Sequence, residues 1–134
     1  MPESLLIDPI DNTEPISRFL IDEDEFNKAT NRVHHSAFRP SRRGCFSTYR
    51  TKGLDNPEIW NIAQKFVTEL REDRKDVLAR AELQARDYTE CKLILNPDGK
   101  PHPMHVNIEQ WPTDREDILA LRKTLANKAR LVTK

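Results

Sequence analysis

The densest group of chemically active side chains lies between Ala29 and Leu54, a stretch that contains no acidic residue. The chain as a whole holds 22 basic and 22 acidic residues, so this positive bias is local. A local positive field attracts phosphate groups, nucleic acid or the acidic surface of another protein. We therefore predict an anion-binding surface in this stretch. The residues assigned to ligand binding are Arg32, His34, Arg39, Arg42 and Arg43.

A later segment, residues 104–109, alternates apolar and polar side chains as a strand with one buried face does. The set expected on the buried face is Met104, Val106 and Ile108, and the opposite set is His105, Asn107 and Glu109. Three polar groups on one side of a strand can converge on a ligand, and they can equally form the solvent-facing side of a sheet. The first interpretation adds Asn107 and Glu109 to the ligand-binding residues.

A catalytic function is the alternative to binding alone. His105 would act as the general acid or base, because histidine exchanges protons near neutral pH. Ser36 or Ser47 would attack or position the substrate, and an arginine would hold its charge. The sequence contains no Gly-x-Ser-x-Gly turn and no ordered catalytic triad. A small enzyme acting on a nucleotide or a phosphorylated substrate is therefore the alternative hypothesis, and a protein without catalysis of its own is favoured.

Single-stranded nucleic acid is a second alternative ligand. Phe38, Phe46 and Tyr49 lie among the basic residues, where they would stack on unpaired bases while arginines contact the backbone. The chain is neutral overall, with a pI of about 6.9, and carries no recognised nucleic-acid-binding motif. Charge and motif content thus weigh against this alternative.

The potential metal ligands are scattered along the chain. His102 and His105 are three residues apart, but Cys45 and Cys91 are isolated, and a structural zinc site needs closely spaced pairs. We predict no metal and no cofactor. Two isolated cysteines also indicate a reducing compartment, and no apolar run is long enough to cross a bilayer. We therefore predict a cytoplasmic protein that does not bind membranes.

Two amphipathic helices are predicted from their caps and their apolar spacing. Asp55 or Asn56 caps the first helix, and Pro57 fits its first turn. Thr113 and Glu116 form a capping box for the last helix. The stripe of the first helix is Ile59, Ile62, Ala63, Phe66, Val67 and Leu70, and that of the last is Ile118, Leu121, Leu125, Ala129 and Val132.

Strands are predicted over residues 32–38, 45–50, 91–95 and 104–109, with a turn over 96–103. Residues 77–83 fit either a helix or a strand, and their local propensity favours a helix. Strands combined with two one-sided helices predict an α+β fold, in which a small mixed or antiparallel sheet carries two amphipathic helices.

The domain organisation follows the charge distribution. Residues 1–28 are predicted to form an acidic N-terminal arm that is partly ordered, and residues 29–134 a single α+β domain. The apolar residues of the arm, Leu5, Leu6, Ile7 and Ile10, would dock on the domain or on a partner. Its acidic residues would either fold over the basic stretch and neutralise it or leave it open to a ligand.

Several segments together resemble a family of small, uncharacterised bacterial proteins. The shared pieces are Arg32, Ser36-Ala37-Phe38, Phe46-Ser47-Thr48, Asn96-Pro97, Pro103-x-His105-Val106-x-Ile108-x-x-Trp111-Pro112, and the helix from Leu125 to Val132. The resemblance covers about residues 32–132. It implies a strand over 77–83 followed by a short helix, and it marks Ser36, Ser47 and His105 as recurring polar residues. It brings no activity with it.

Such small bacterial proteins are commonly encoded beside larger enzymes, including those of mobile and defence loci, which implies an accessory role. The favoured hypothesis is a small cytoplasmic accessory module. It would bind a larger partner protein or a phosphate-containing ligand through residues 39–50 and the His105 face.

Overall fold

The computed structural model describes residues 9–134 of the chain. The docking role predicted for Leu5, Leu6 and Ile7 lies outside these described residues. Ile10, the fourth apolar residue of that set, packs against the main hydrophobic core. Within residues 9–134, no helix is both long enough and apolar enough to cross a membrane.

Six antiparallel strands form the central sheet, and the predicted α+β fold is confirmed. The strands are β1 (Pro15–Leu20), β4 (Ser47–Arg50), β5 (Ala79–Gln84), β6 (Ile94–Asn96), β7 (His105–Glu109) and β8 (Arg130–Thr133). Their order across the sheet is β6-β7-β4-β1-β5-β8, and β2 (Phe26–Asn27) pairs separately with β3 (Arg32–Val33). The helices are α1 (Asn56–Ala63), α2 (Ala85–Thr89) and α3 (Arg115–Lys128).

The sheet buries apolar side chains on both of its faces. Along β1, Ile16 and Leu20 belong to the main core, whereas Phe19 belongs to a second, smaller core. Tyr88 of α2 and Leu125 of α3 pack into the main core. The smaller core consists of Phe19, Tyr49, Ile59, Ile62, Ala63 and Val77. Because successive strand residues point to opposite faces, these two clusters place α2 and α3 on one face and α1 on the other.

The predicted first helix is confirmed as α1. The Asp55 side chain accepts the backbone N–H of Glu58 at 2.9 Å, which caps the first turn. The helix continues as a π-helical turn, Gln64–Thr68, whose Phe66 and Val67 are partly buried. Leu70 lies beyond this turn with 63% of its surface exposed, so its predicted place in the apolar stripe is wrong.

Residues 79–84 form a strand, as the family resemblance implies and against the local helix propensity. β5 pairs with β1 on one side and β8 on the other, and its Ala79, Ala81 and Leu83 are buried. The short helix α2 follows at once. Pairing on both edges satisfies the backbone of β5, which outweighs the helix preference of alanine and leucine.

The strand predicted over residues 32–38 is mostly wrong. Only Arg32–Val33 pair as a strand there, and His35–Phe38 form a 3₁₀ helix. The His34 side chain accepts the backbone N–H of Ser36 at 3.1 Å, so a local cap competes with strand pairing. One turn of helix also buries both Ala37 and Phe38, which adjacent positions on a strand would place on opposite faces.

Both ends of the chain supply strands that the sequence did not predict. β1 comes from the segment 1–28 that was set apart as an arm, and it lies between β4 and β5 in the sheet. At the other end, α3 stops at Lys128 and Val132 lies in β8. The cap of α3 is Asp114, whose side chain accepts the backbone N–H groups of Glu116 and Asp117, and not Thr113.

Candidate functional site

A groove of about 830 Å³ lies between the loop of residues 39–45 and the segment that joins β7 to α3. It brings together five of the predicted ligand-binding residues, which are Arg39, Arg42, Arg43, Asn107 and Glu109. The far wall adds Trp111 and Arg122, which the sequence analysis did not select. We call this surface the arginine groove.

Hydrogen bonds fix the shape of the loop that carries three of these arginines. Ser41 N donates to Cys45 O at 2.9 Å, and Cys45 N donates to Ser41 Oγ at 3.0 Å. Gly44 closes the turn with a positive φ of 75° and donates to Ser41 O at 2.9 Å. Phe46 N then donates to the Asn107 side chain at 2.9 Å, which ties the end of the loop to β7. The loop is thus a closed turn anchored to the sheet.

The opposite wall is held by equally specific contacts. The Trp111 indole donates to Ile108 O at 2.8 Å, and its ring packs 5.1 Å from the ring of Phe46. Arg122 of α3 donates through Nε to His35 O at 3.1 Å. The sequence carried a signal for Arg122, because it lies four residues after Ile118 and three before Leu125, within the apolar stripe of α3.

The arginine groove carries uncompensated positive charge. None of the four guanidinium groups of Arg39, Arg42, Arg43 and Arg122 forms an ion pair within residues 9–134. Glu109, a carboxylate in the lining, accepts the side-chain N–H groups of Asn96 and Asn107, each at 2.9 Å. Burial and the charge of Arg39 lower the pKa of Arg122.

The remaining two predicted ligand-binding residues line a neighbouring groove. Arg32 and His34 lie there with Lys123, in a space of about 590 Å³ between the β2–β3 pair and α3. The rings of His34 and His35 are in contact, with centroids 4.1 Å apart and planes tilted by 33°, because both residues belong to the 3₁₀ turn and its cap. The strand predicted over residues 32–38 would have placed these adjacent side chains on opposite faces, which is wrong.

His35 joins the two grooves electrostatically. Arg122 Nη2 lies 3.1 Å from His35 Nδ1 and donates to it. Burial is the largest cause that lowers the pKa of His35, followed by the charges of His34, Arg122, Lys123 and Arg39. Positive charge from both grooves therefore acts on one imidazole ring.

The predicted catalytic residues take separate partners. His105 is 5% exposed, its Nδ1 lies 2.5 Å from Asp98 Oδ1, and its ring meets the Tyr49 ring edge-on at 5.2 Å. Ser36 Oγ donates to Asp24 O at 3.1 Å. Ser47 is exposed on β4 opposite Asn107. Within residues 9–134, no hydrogen bond joins His105 to either serine.

The alternation predicted for β7 holds for two of its three apolar positions. Val106 and Ile108 are buried in the main core, whereas Met104 is 38% exposed and precedes the strand. His105 is buried because the opposite face of the sheet is also covered, with Tyr49 beside it. The prediction that residue 104 is buried and residue 105 faces solvent is therefore wrong.

No group of three or more His, Cys, Asp or Glu side chains within the described part of the chain is arranged to hold a metal ion. Comparisons with protein-family models, with curated proteins and with solved structures give no match to this chain. The resemblance to a small bacterial family therefore stays a prediction. The function has to be argued from the geometry of the grooves.

Proposed function

We propose that this protein is a binding module that holds an anionic group in the arginine groove, either on a phosphate-containing ligand or on the acidic surface of a larger partner. One observation carries the proposal. Four guanidinium groups line one concave surface and have no carboxylate partner within residues 9–134. Guanidinium groups pair with carboxylate and phosphate in a bidentate geometry, so an external anion completes the site.

The rigidity of the loop supports the same proposal. The turn closed by Ser41 and Gly44 holds its arginines near Arg122 before any ligand arrives. Burial and then the charge of Arg39 lower the pKa of Arg122, and an anion that enters the groove offsets both effects. Because the backbone of the loop is already fixed, it loses little conformational freedom on binding, and the field of the arginines accelerates the approach of an acidic partner.

The catalytic alternative has less support. It needs His105, a serine and an arginine within hydrogen-bond reach of one substrate. In the structure, His105 is hydrogen-bonded to Asp98, and Ser36 donates to Asp24 O. Neither His105 nor Ser36 lines the arginine groove. We therefore retain it only as a prediction whose test is the loss of a cellular effect in His105→Ala.

Single-stranded nucleic acid stays the second alternative ligand of the arginine groove. Trp111 provides an aromatic surface next to the arginines, but its indole N–H is engaged and its ring packs on Phe46. A base could stack only on the part of the Trp111 ring that Phe46 leaves open. Phosphate and carboxylate ligands need only the guanidinium groups.

Calorimetric titration of the full-length protein with three probes, at low and at physiological salt, tests the proposal. Inorganic tripolyphosphate and a glutamate-rich peptide test the proposed anionic ligands, and a ten-residue oligothymidine tests the nucleic-acid alternative. We expect at least one of the first two to bind, with an affinity that falls as salt rises. The double variant Arg42→Glu/Arg43→Glu is expected to lose at least tenfold in affinity, about 1.4 kcal/mol.

Lys52→Glu is the matched control, because Lys52 belongs to the same basic stretch but is paired with Asp11 at 3.6 Å outside the groove. Its affinity for the probes should equal that of the wild type. If neither tripolyphosphate nor the peptide binds, or if the double variant binds as well as Lys52→Glu, the proposal is wrong. Preference for oligothymidine over both would instead favour the nucleic-acid alternative.

A further inference from the structure

A separate pocket of about 300 Å³ lies beside the end of β1, which contributes Arg18 and Phe19 to its lining. Arg18 directly follows Ile16 and Ser17, the residues of β1 that pair with β4. The 3₁₀ turn Glu23–Glu25 and the end of the π-helical turn complete its walls. A space of this size is at the lower limit for small-molecule sites.

Arg18 enters this pocket with unused hydrogen-bonding capacity. Its Nε donates to Ala37 O at 3.3 Å, its Nη1 donates to Ser47 O at 3.0 Å, and its guanidinium lies 4.1 Å from the centre of the Phe46 ring. Its Nη2 has no hydrogen-bond partner and Arg18 no ion pair within residues 9–134. Arg18 is half-buried, and this partial burial lowers its pKa. A partly desolvated charge is stabilised by an opposite charge beside it.

The carboxylates around the pocket do not supply that opposite charge directly. Glu25 raises the pKa of Arg18, but its Oε1 accepts the backbone N–H groups of Ile21 and Asp22 at 2.9 and 3.0 Å. Asp22 is paired with Lys75 at 2.9 Å. Neither Asp24 nor Glu25 forms an ion pair within the described residues, but only the Asp24 carboxylate also accepts no hydrogen bond there, so it is the more available acidic group for a ligand.

Among the arginines of the pocket, too, some are already paired within the protein. Three arginines line the pocket, and Arg71 is held bidentately by Asp73 at 2.8 and 2.7 Å. Arg18 and Arg39 remain without ion pairs, the latter shared with the rim of the arginine groove. Unpaired groups of both signs thus face one small space. Such a lining favours a ligand that carries both a carboxylate and an ammonium over a multiply charged anion.

The rest of the lining is apolar and comes from Phe19, Ile21 and Val67. We propose that the pocket binds a free α-amino acid with an aliphatic side chain. The carboxylate lies on the Arg18 and Arg39 guanidinium groups, the ammonium faces Asp24, and the side chain packs on Ile21 and Val67. This site is distinct from the arginine groove and shares only Arg39 with it.

Calorimetry of the full-length protein with three small molecules tests the assignment. L-leucine has both charges, 4-methylpentanoate lacks the ammonium, and 3-methylbutylamine lacks the carboxylate. We expect leucine to bind and each analogue to bind at least tenfold more weakly. Asp24→Asn should lower the affinity for leucine at least tenfold and leave that for 4-methylpentanoate unchanged, because only the ammonium contact is removed.

Two further variants guard against a loss of folding. Arg18→Lys should weaken leucine binding at least tenfold, since an ammonium cannot replace the planar guanidinium fork. Val67→Trp should abolish leucine binding, because the larger side chain fills the pocket. This variant tests the proposal independently if Arg18→Lys does not fold. Arg42→Glu/Arg43→Glu should bind leucine normally, which separates this proposal from the arginine groove. Absence of leucine binding, or leucine binding that survives both Asp24→Asn and Val67→Trp, would overturn the proposal.

Discussion

Two parts of the basic stretch, residues 29–54, behave differently in the folded protein. At its C-terminal end, Arg50 forms a bidentate ion pair with Glu14, at 2.5 and 3.0 Å, in which the two side chains are 12% and 3% exposed. Lys52 is paired with Asp11 nearby. In the middle of the stretch, the arginines of residues 39–43 form no ion pair within residues 9–134 and line an open groove.

The difference arises from where β1 runs. Glu14 directly precedes β1, and β1 pairs with β4 through Ile16–Arg50. This pairing places Glu14 beside Arg50, at the C-terminal end of the basic stretch. The loop of residues 39–45 lies at the other end of β4, beyond the reach of that pair. A uniformly basic segment therefore contains a structural half and an accessible half, and only the second is available to a ligand.

The largest effect is expected from breaking the structural half. Glu14→Gln removes the carboxylate of a pair whose two side chains are both buried, and breaking a buried ion pair costs about 3–5 kcal/mol. The free energy of unfolding, measured with urea, should fall by that amount.

Asp11→Asn is the matched control from the same segment, because its pair with Lys52 is exposed at 69% and 66% of the two side chains. Exposed pairs contribute at most about 1 kcal/mol. If Glu14→Gln destabilises the protein no more than Asp11→Asn does, the Glu14–Arg50 pair is not structural and the comparison fails.

The accessible half should show the reverse pattern. Arg42→Glu/Arg43→Glu is expected to change the free energy of unfolding by less than about 0.5 kcal/mol, since neither side chain is engaged in the fold. The same variant loses its anion affinity if the proposed function is correct. Urea unfolding and calorimetry on one preparation separate the two effects, and a large destabilisation would place these arginines in the structural half.

The smallest effect concerns the imidazole between the two grooves. Lys123→Gln removes one of the positive charges that lower the pKa of His35, so that pKa should rise towards 6.5. An NMR titration of the His35 ring measures the shift, with Lys65→Gln as a control on another element. An unchanged or lower pKa in Lys123→Gln would show that the charge of Lys123 does not contribute to the lowered pKa of His35.

The same lowered pKa makes stability depend on pH with a definite sign. The unfolded chain takes up the His35 proton near pH 6.5, whereas the folded protein takes it up only at lower pH. The contribution of His35 to stability is therefore complete above pH 6.5 and is lost as the pH falls through the folded-state pKa. Burial lowers the pKa of His102 as well, so both histidines act in the same direction.

Much of the local structure was predictable because its signals are local. The Asp55 cap with Pro57 located α1, and the alternation around Val106 and Ile108 located β7. The predictions were wrong where contacts with distant segments of the chain determine the secondary structure or the burial of a residue. β1 and β5 are strands because each is paired on both edges, and His105 is buried because Tyr49 packs on it. The His34 cap replaced a predicted strand by a 3₁₀ turn.

The concentration of positive charge between residues 29 and 54 and the α+β fold were both predictable without a structure, because composition and periodicity are properties of the chain. Which of those charges are neutralised depends on how the chain folds. The register of β1 against β4 places Glu14 beside Arg50. The packing of α3 places Arg122 in the same groove as Arg39. Contacts between residues far apart in the chain depend on packing, which sequence spacing does not encode.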